Sequence, residues 1–247
     1  MKKLRVLSID FDFFQDVDKD TLCECYPDGI DLSTDLSCIV WASRYANDLD
    51  ERLKQVSINK HLLDDLYDIL YFQSPNVPVL VCQSHVNIYY FIEELMKEDI
   101  EQKLYIVNID MHHDCFNDNP EVDCGNWISH IHNNYPNVIL SWIAREVSLE
   151  AYKLSAKELP VETILDKIKD AEFDVIFICR SDAWLPPHLD KNFDDLLHNC
   201  RTYFKNLAVE ECVQVPRNIS KIFEAKNKIK EDTKRCIYAN DNSTSKS

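Results

Sequence analysis

Glycine is nearly absent from this 247-residue chain, with only Gly29 and Gly125 present. A G-x-G-x-x-G turn and a G-x-x-x-x-G-K-[ST] loop are therefore both excluded, and with them the two common Gly-rich phosphate cradles. No run approaches about 18 uncharged apolar residues, so no membrane-spanning helix is expected. Positive charge is scarce: 27 Lys+Arg face 43 Asp+Glu, for a net charge of −16. Nucleic acid and anionic membrane bind through clustered cations, so neither is an expected partner. The same balance suits a cationic substrate or bound metal ions.

Cysteine, by contrast, occurs ten times. The start Met1-Lys2-Lys3-Leu4-Arg5 offers no apolar export signal, so a cytoplasmic location with reduced thiols is expected. Cys23-x-Cys25 is too tight for the usual zinc spacing and reads as structural or incidental. Hydrophobic residues make up 45% of the chain, which excludes general disorder and allows one large packed core. Neither a repeat nor a linker interrupts it. A single domain over residues 1–239 is expected, with residues 240–247 (NDNSTSKS) as a disordered tail.

Short apolar runs punctuate the chain: 4–14 (LRVLSIDFDFF), 78–82, 104–109, 138–143 and 173–179. Each reads as a buried strand. Helical patterns lie between them. One starts at Asp35 and reaches about Leu53, and one starts at Asn59 and reaches about Leu70. Others fall at 87–97, about 148–157, 161–170, 190–207 and 218–230. Apolar strands alternating with helices predict an α/β fold: a single-domain, three-layer α-β-α arrangement around a mainly parallel sheet. Ligands of such sheets bind at the carboxyl ends of the strands.

Three of these strand ends carry metal-ligand residue types. They are Asp10-x-Asp12, His85, and Asp110-x-His112-x-Asp114. Alternate residues of an extended segment face one way, so each set can converge, with His113 facing away. One such Asp alone reads as a helix cap or turn residue, and a lone His85 as a satisfied polar group. The D-x-H-x-D cluster is harder to explain without a bound cation. Four carboxylates repel unless neutralised, and two divalent ions balance their −4. Mixed carboxylate and imidazole donors suit Mn(II), with Fe(II) or Zn(II) as alternatives.

These motifs resemble those of the arginase/agmatinase ureohydrolase superfamily, whose relatives include deacetylases of the same fold. Asp110-Met-His112-His-Asp114 is similar to the family's D-x-H-x-D, and Ser8-Ile-Asp10-Phe-Asp12 to its S-x-D-x-D. Cys82-Gln-Ser-His85 matches G-G-D-H at the histidine only, and Gly125-Asn126-Trp127 resembles a following G-N element. Within the superfamily the nearest resemblance is to the ureohydrolase-like peptide arginases. Two departures stand out. The D-x-D strand comes first in this chain, not last, so the site closes only if it lies beside the 104–109 strand. The family's acid three residues after D-x-D is Gln15 here, and Asp16 is one position off.

The resemblance implies two Mn(II) ions. His85, Asp110, Asp114 and Asp10 would hold one, and Asp110, His112, Asp10 and Asp12 the other. It also implies attack of acidified water on a guanidinium carbon, releasing urea and an amine. The partner would be an arginine-containing precursor peptide, with arginine becoming ornithine. His130 or His132 would carry the proton to the leaving amine. Asn126, Trp127, Arg180 and Asp182 would contact substrate, with Asp182 matched to the guanidinium fork. Trp184 would help wall the pocket. Asp118 and Asp123 in the 115–124 loop are expected bystanders. The residues alone also fit a single-metal deacetylase-like amide hydrolase, a free-arginine or agmatine ureohydrolase, a phosphoesterase, or a binder without activity.

Overall fold

The computed structural model describes residues 3–26, 32–97, 99–117, 119–152 and 159–244. In chain order its elements are β1 (Lys3–Asp10), β2 (Gln15–Asp16), α1 (Lys19–Cys25), α2 (Thr34–Asn47), β3 (Ser57–Ile58), α3 (Lys60–Phe72), β4 (Pro78–Cys82) and α4 (Asn87–Met96). They continue with β5 (Lys103–Ile109), α5 (Trp127–Asn134), β6 (Val138–Ile143), α6 (Glu146–Tyr152), β7 (Val161–Glu162), β8 (Val175–Cys179), α7 (Asp190–Tyr203), β9 (Asn206–Val209) and α8 (Ile219–Thr244).

Seven strands form one sheet in the order β7-β6-β5-β1-β8-β4-β9, every neighbouring pair parallel. The apolar runs have period-2 alternation hidden inside them, because both faces are buried. Leu7, Ile9, Ile176 and Ile178 face a core built with Leu66 and Ile69 of α3 and Phe193 and Leu196 of α7. Val6, Val175, Phe177 and Cys179 face the opposite core, with Ile88 and Ile92 of α4 and Trp127 and Ile131 of α5. Helices thus cover both faces, giving the expected three layers. A third cluster joins Leu22, Trp41, Tyr45 and Ile222 from α1, α2 and α8 to Met111, which follows the carboxyl end of β5.

The five strands expected from the apolar runs are all present. β1 lies directly beside β5, with Leu4 to Ile9 in register with Leu104 to Ile109. The placement required by the reversed motif order is therefore realised. Asn59 caps α3 as expected, its side chain accepting from Leu62 N at 3.1 Å.

Several boundaries differ. Residue 33, not Asp35, caps α2, which ends at Asn47. The helix expected at 161–170 is instead β7 followed by a 3-10 turn, Leu165–Ile168. There β-branched Val161 and its neighbours pair with β6, and Ala144 N donates to Glu162 O. The helix expected to reach 207 stops at Tyr203, because Asn206–Val209 pairs with β4 as an edge strand. α8 continues to Thr244, past Asn240, where a disordered tail was expected; residues 245–247 lie outside the described residues. Among the described residues no helix is long and apolar enough to cross a membrane, and no disulfide joins two cysteines.

Candidate metal centre

The carboxyl ends of β5, β1 and β4 bring all six expected ligands together, each of them buried. Asp10 ends β1, and Asp12 lies in the 3-10 turn Phe11–Phe14 that follows. His85 follows β4, and Asp110, His112 and Asp114 follow β5. Turns, not extended alternation, aim these groups. Asp10 Oδ1 accepts from Asp12 N at 3.1 Å, and Asp110 Oδ1 accepts from His112 N at 2.8 Å. Each Asp thereby folds its own i+2 residue back toward the site. Asp114 adopts a left-handed backbone, φ 50°, which swings its carboxylate back toward His85.

The donor atoms form two groups that share Asp110. His85 Nδ1 lies 3.0 Å from Asp114 Oδ2, 3.1 Å from Asp110 Oδ2 and 3.3 Å from Asp10 Oδ2. His112 Nδ1 lies 3.1 Å from Asp12 Oδ2 and 3.7 Å from Asp110 Oδ1. Despite these distances His85 Nδ1 and Asp12 Oδ2 are buried without a hydrogen-bond partner. Ligand atoms about 2.2 Å from one octahedral ion sit about 3 Å from each other, which is the spacing found here. Buried Asp10, His85 and Asp110, and Asp12, Asp110 and His112, are thus arranged as groups able to hold metal ions.

Electrostatics point the same way. Burial, reinforced by Asp10, pushes the Asp12 carboxyl up to about 7. Burial and Asp110 raise Asp10, while burial and Asp110 hold Asp114 well above the usual carboxylate range. Asp110 goes the other way: burial would raise it, but His112 and His85 bonded to it keep it ionised. Burial opposes charge on His85, yet the Asp114 charge and its companions hold the imidazole well above its ordinary value. Without cations the cluster must retain protons to persist.

A ring of supporting groups orients the ligands. Ser8 Oγ sits 2.7 Å from His85 Nε2, turning Nδ1 inward. Trp127 Nε1 donates to Asp114 Oδ2 at 2.5 Å, and Asn108 Nδ2 to Asp110 Oδ2 at 3.1 Å. His113 is turned away, as expected, with its Nδ1 accepting from Cys115 N.

The centre opens into a cavity of about 480 Å³. Around His112 its wall is aromatic, with the rings of Trp184, Tyr152 and Phe116 centred 4.5, 5.2 and 6.3 Å from the imidazole. Asp10, His85, His112 and Asp114 line its floor, and Cys23, Asn117, Asp123 and Tyr152 contribute to its sides.

The expected substrate contacts fare less well. His130 and His132 do not line this cavity: His130 Nε2 meets Asn119 O at 3.0 Å, and exposed His132 lines a different depression. Both sit on α5, whose inward face is taken by Trp127, Ile128 and Ile131. Asn126 is buried in its own loop, bonded to Asn117 and Glu121. Trp127 is a support of Asp114, not a pocket wall. Asp182 lines the cavity, but its carboxylate is spent on Arg180, Nε to Oδ1 at 2.5 Å and Nη2 to Oδ2 at 2.9 Å, and on Thr34 Oγ1 at 2.7 Å. Arg180 is fully buried and does not line the cavity. Asp123, expected as a bystander, lines the cavity; Asp118 lies outside the described residues. Tyr152 and Cys23 carry no sequence signal as lining groups, since the approach of α6 and α1 to His112 is a long-range event, and Phe116 gains its place from the fold of the loop after Asp114. Compared with family models, curated proteins and solved structures, the chain matches none.

Proposed function

We propose that this protein is a binuclear manganese-dependent hydrolase of guanidino groups, arginase-like in its site, that converts peptidyl arginine to ornithine with release of urea. The observation that carries this reading is the pair of ligand groups sharing Asp110, with inward-facing His85 Nδ1 and Asp12 Oδ2 left unpartnered. The second group, Asp12 with Asp110 and His112, favours two ions over the one of a deacetylase-like centre. Asp10, Asp12, His85, Asp110, His112 and Asp114 would hold two divalent ions, which would balance the four carboxylates and supply the Lewis acidity that activates water.

The chain's own residues supply the rest. Asp110 ties the two groups together, while Ser8 and Trp127 fix His85 and Asp114. The planar faces of Trp184, Tyr152 and Phe116 suit a delocalised cation and exclude bulk water from it. The proton for the leaving amine comes from within the cavity. Beyond the ligands and the Arg180-bound Asp182, its ionisable lining includes Asp123, Tyr152, Cys23 and Cys124.

The test is elemental analysis combined with a urea assay. Protein dialysed against Mn(II) should hold two ions per chain. It should release urea from arginine-containing peptides, with the ~42 Da loss of guanidine hydrolysis. One tightly bound ion with no urea released from any peptide would refute this reading.

A further inference from the structure

A second cavity, of about 770 Å³, abuts the metal cavity. The two meet at Gln83, which lines both. They meet again at the 2.7 Å bond from Thr34 Oγ1 to Asp182 Oδ2, since Thr34 lines the second cavity and Asp182 the first. Gln83 is clamped by its backbone: its N donates to Glu210 Oε2 at 2.8 Å and its O accepts from Asp182 N. Its side-chain Oε1 is nevertheless buried without a partner. A buried acceptor left unpaired is costly unless a donor arrives from outside.

The rest of the second cavity is amphipathic. Ile39 and Val215 line it and are each 65% exposed, so both present apolar surface to whatever occupies it. Asp35 and Glu210 add acid and Lys221 a cation. Arg217, also in the lining, has its guanidinium spent on Asp190.

We propose that this second cavity is the docking groove for the backbone flanking the reactive residue of a peptide substrate. One peptide N–H is donated to Gln83 Oε1 once that half-buried amide turns toward the groove, and a neighbouring apolar side chain lies on Ile39 and Val215. This rests on the peptidyl-guanidine reading of the metal centre. The two cavities share a wall at Gln83 and the Thr34–Asp182 bond, and this adjacency selects the occupant. A free amino acid fills the first cavity alone, while a chain that places one side chain there must continue across its rim.

The experiment uses two probes, a nonapeptide library with a fixed central arginine and degenerate flanks, and N-acetylarginine amide. Fluorescein-labelled library binding to metal-free protein is read by anisotropy, and urea release by Mn-loaded protein is read for both probes. Ile39→Glu and Val215→Glu alter exposed groove residues outside the metal cavity, and Val215→Ala serves as the milder variant. The groove is supported if the two Glu variants weaken library binding and kcat/KM at least tenfold while turnover of the capped arginine is unchanged. It is overturned if the variants bind and process the library as the parent does. If neither probe releases urea but library binding still falls in the Glu variants, the groove stands and the guanidine reading fails. Equal loss on both probes, with Val215→Ala behaving as the parent does, also overturns the groove, because the effect is then not confined to flanking residues.

Discussion

Asp110 is the residue on which both ligand groups depend. Replacing it with Asn keeps its size and removes the charge between two imidazoles. Bound metal and urea release should then fall together, by both ions and not one, as measured by elemental analysis beside the assay. Ser8 acts one bond further out. Ser8→Ala removes the contact that holds His85 with Nδ1 inward, and should weaken Mn(II) binding about 10–100-fold in a metal titration while leaving the fold intact. His130 and His132 offer the opposite contrast. Each lies outside the cavity, so changing either to Ala should leave metal content intact and alter stability by no more than about 0.5 kcal/mol. Strong loss of urea release in either variant would return it to the site.

At the scale of elements, the parallel pairing of β1 between β5 and β8 does the assembling. It sets Asp10 and Asp110 on adjacent strand ends and leaves Arg180 and Asp182 on the next. Arg180 ties the end of β8 to the segment before α8, through the carbonyls of Cys212, Val213 and Val215. Asp182→Ala would leave this fully buried guanidinium without its carboxylate. It should cost about 3–5 kcal/mol in chemical unfolding. A loss under 1 kcal/mol, with a raised KM instead, would show that the acid serves substrate and not structure.

For the whole molecule, charge decides two behaviours. Folded and metal-free, Asp12 keeps its proton up to about 7, whereas an unfolded Asp releases it near ~3.9. The folded chain thus binds more protons, and its stability falls as pH rises through that window. His85, held above its ordinary value, acts with the same sign, since its contribution is lost as pH rises through its folded value. Divalent cations bound by the cluster would replace these protons. The gain in melting temperature on adding Mn(II) should therefore grow from about pH 5.5 to about pH 8; a gain that shrinks would contradict the account. The second behaviour concerns substrate. A net charge of −16 and an acidic 115–124 loop disfavour the α-carboxylate of free arginine and favour a basic peptide. Free arginine should turn over more slowly than arginine inside peptides, read by urea release from both.

The layers and the cluster of candidate ligands can be read from local pattern alone. Buried parallel strands are apolar on both faces, so they stand out as runs, and a carboxylate or imidazole directly after such a run has few cheap explanations. That is why Asp10, Asp12, His85, Asp110, His112 and Asp114 were legible before any fold was known. Short edge elements were not: β7 and β9 depend on partners far away in sequence, and local pattern cannot report a partner. The same holds for the cavity. Whether Asp182 meets a ligand or Arg180, whether His130 faces the candidate centre or Asn119, and whether Asp123 is a bystander or a wall depend on how α5 and the 115–125 loop pack. These outcomes come from long-range packing, because the direction of a side chain on a helix or loop is set by whatever buries the opposite face.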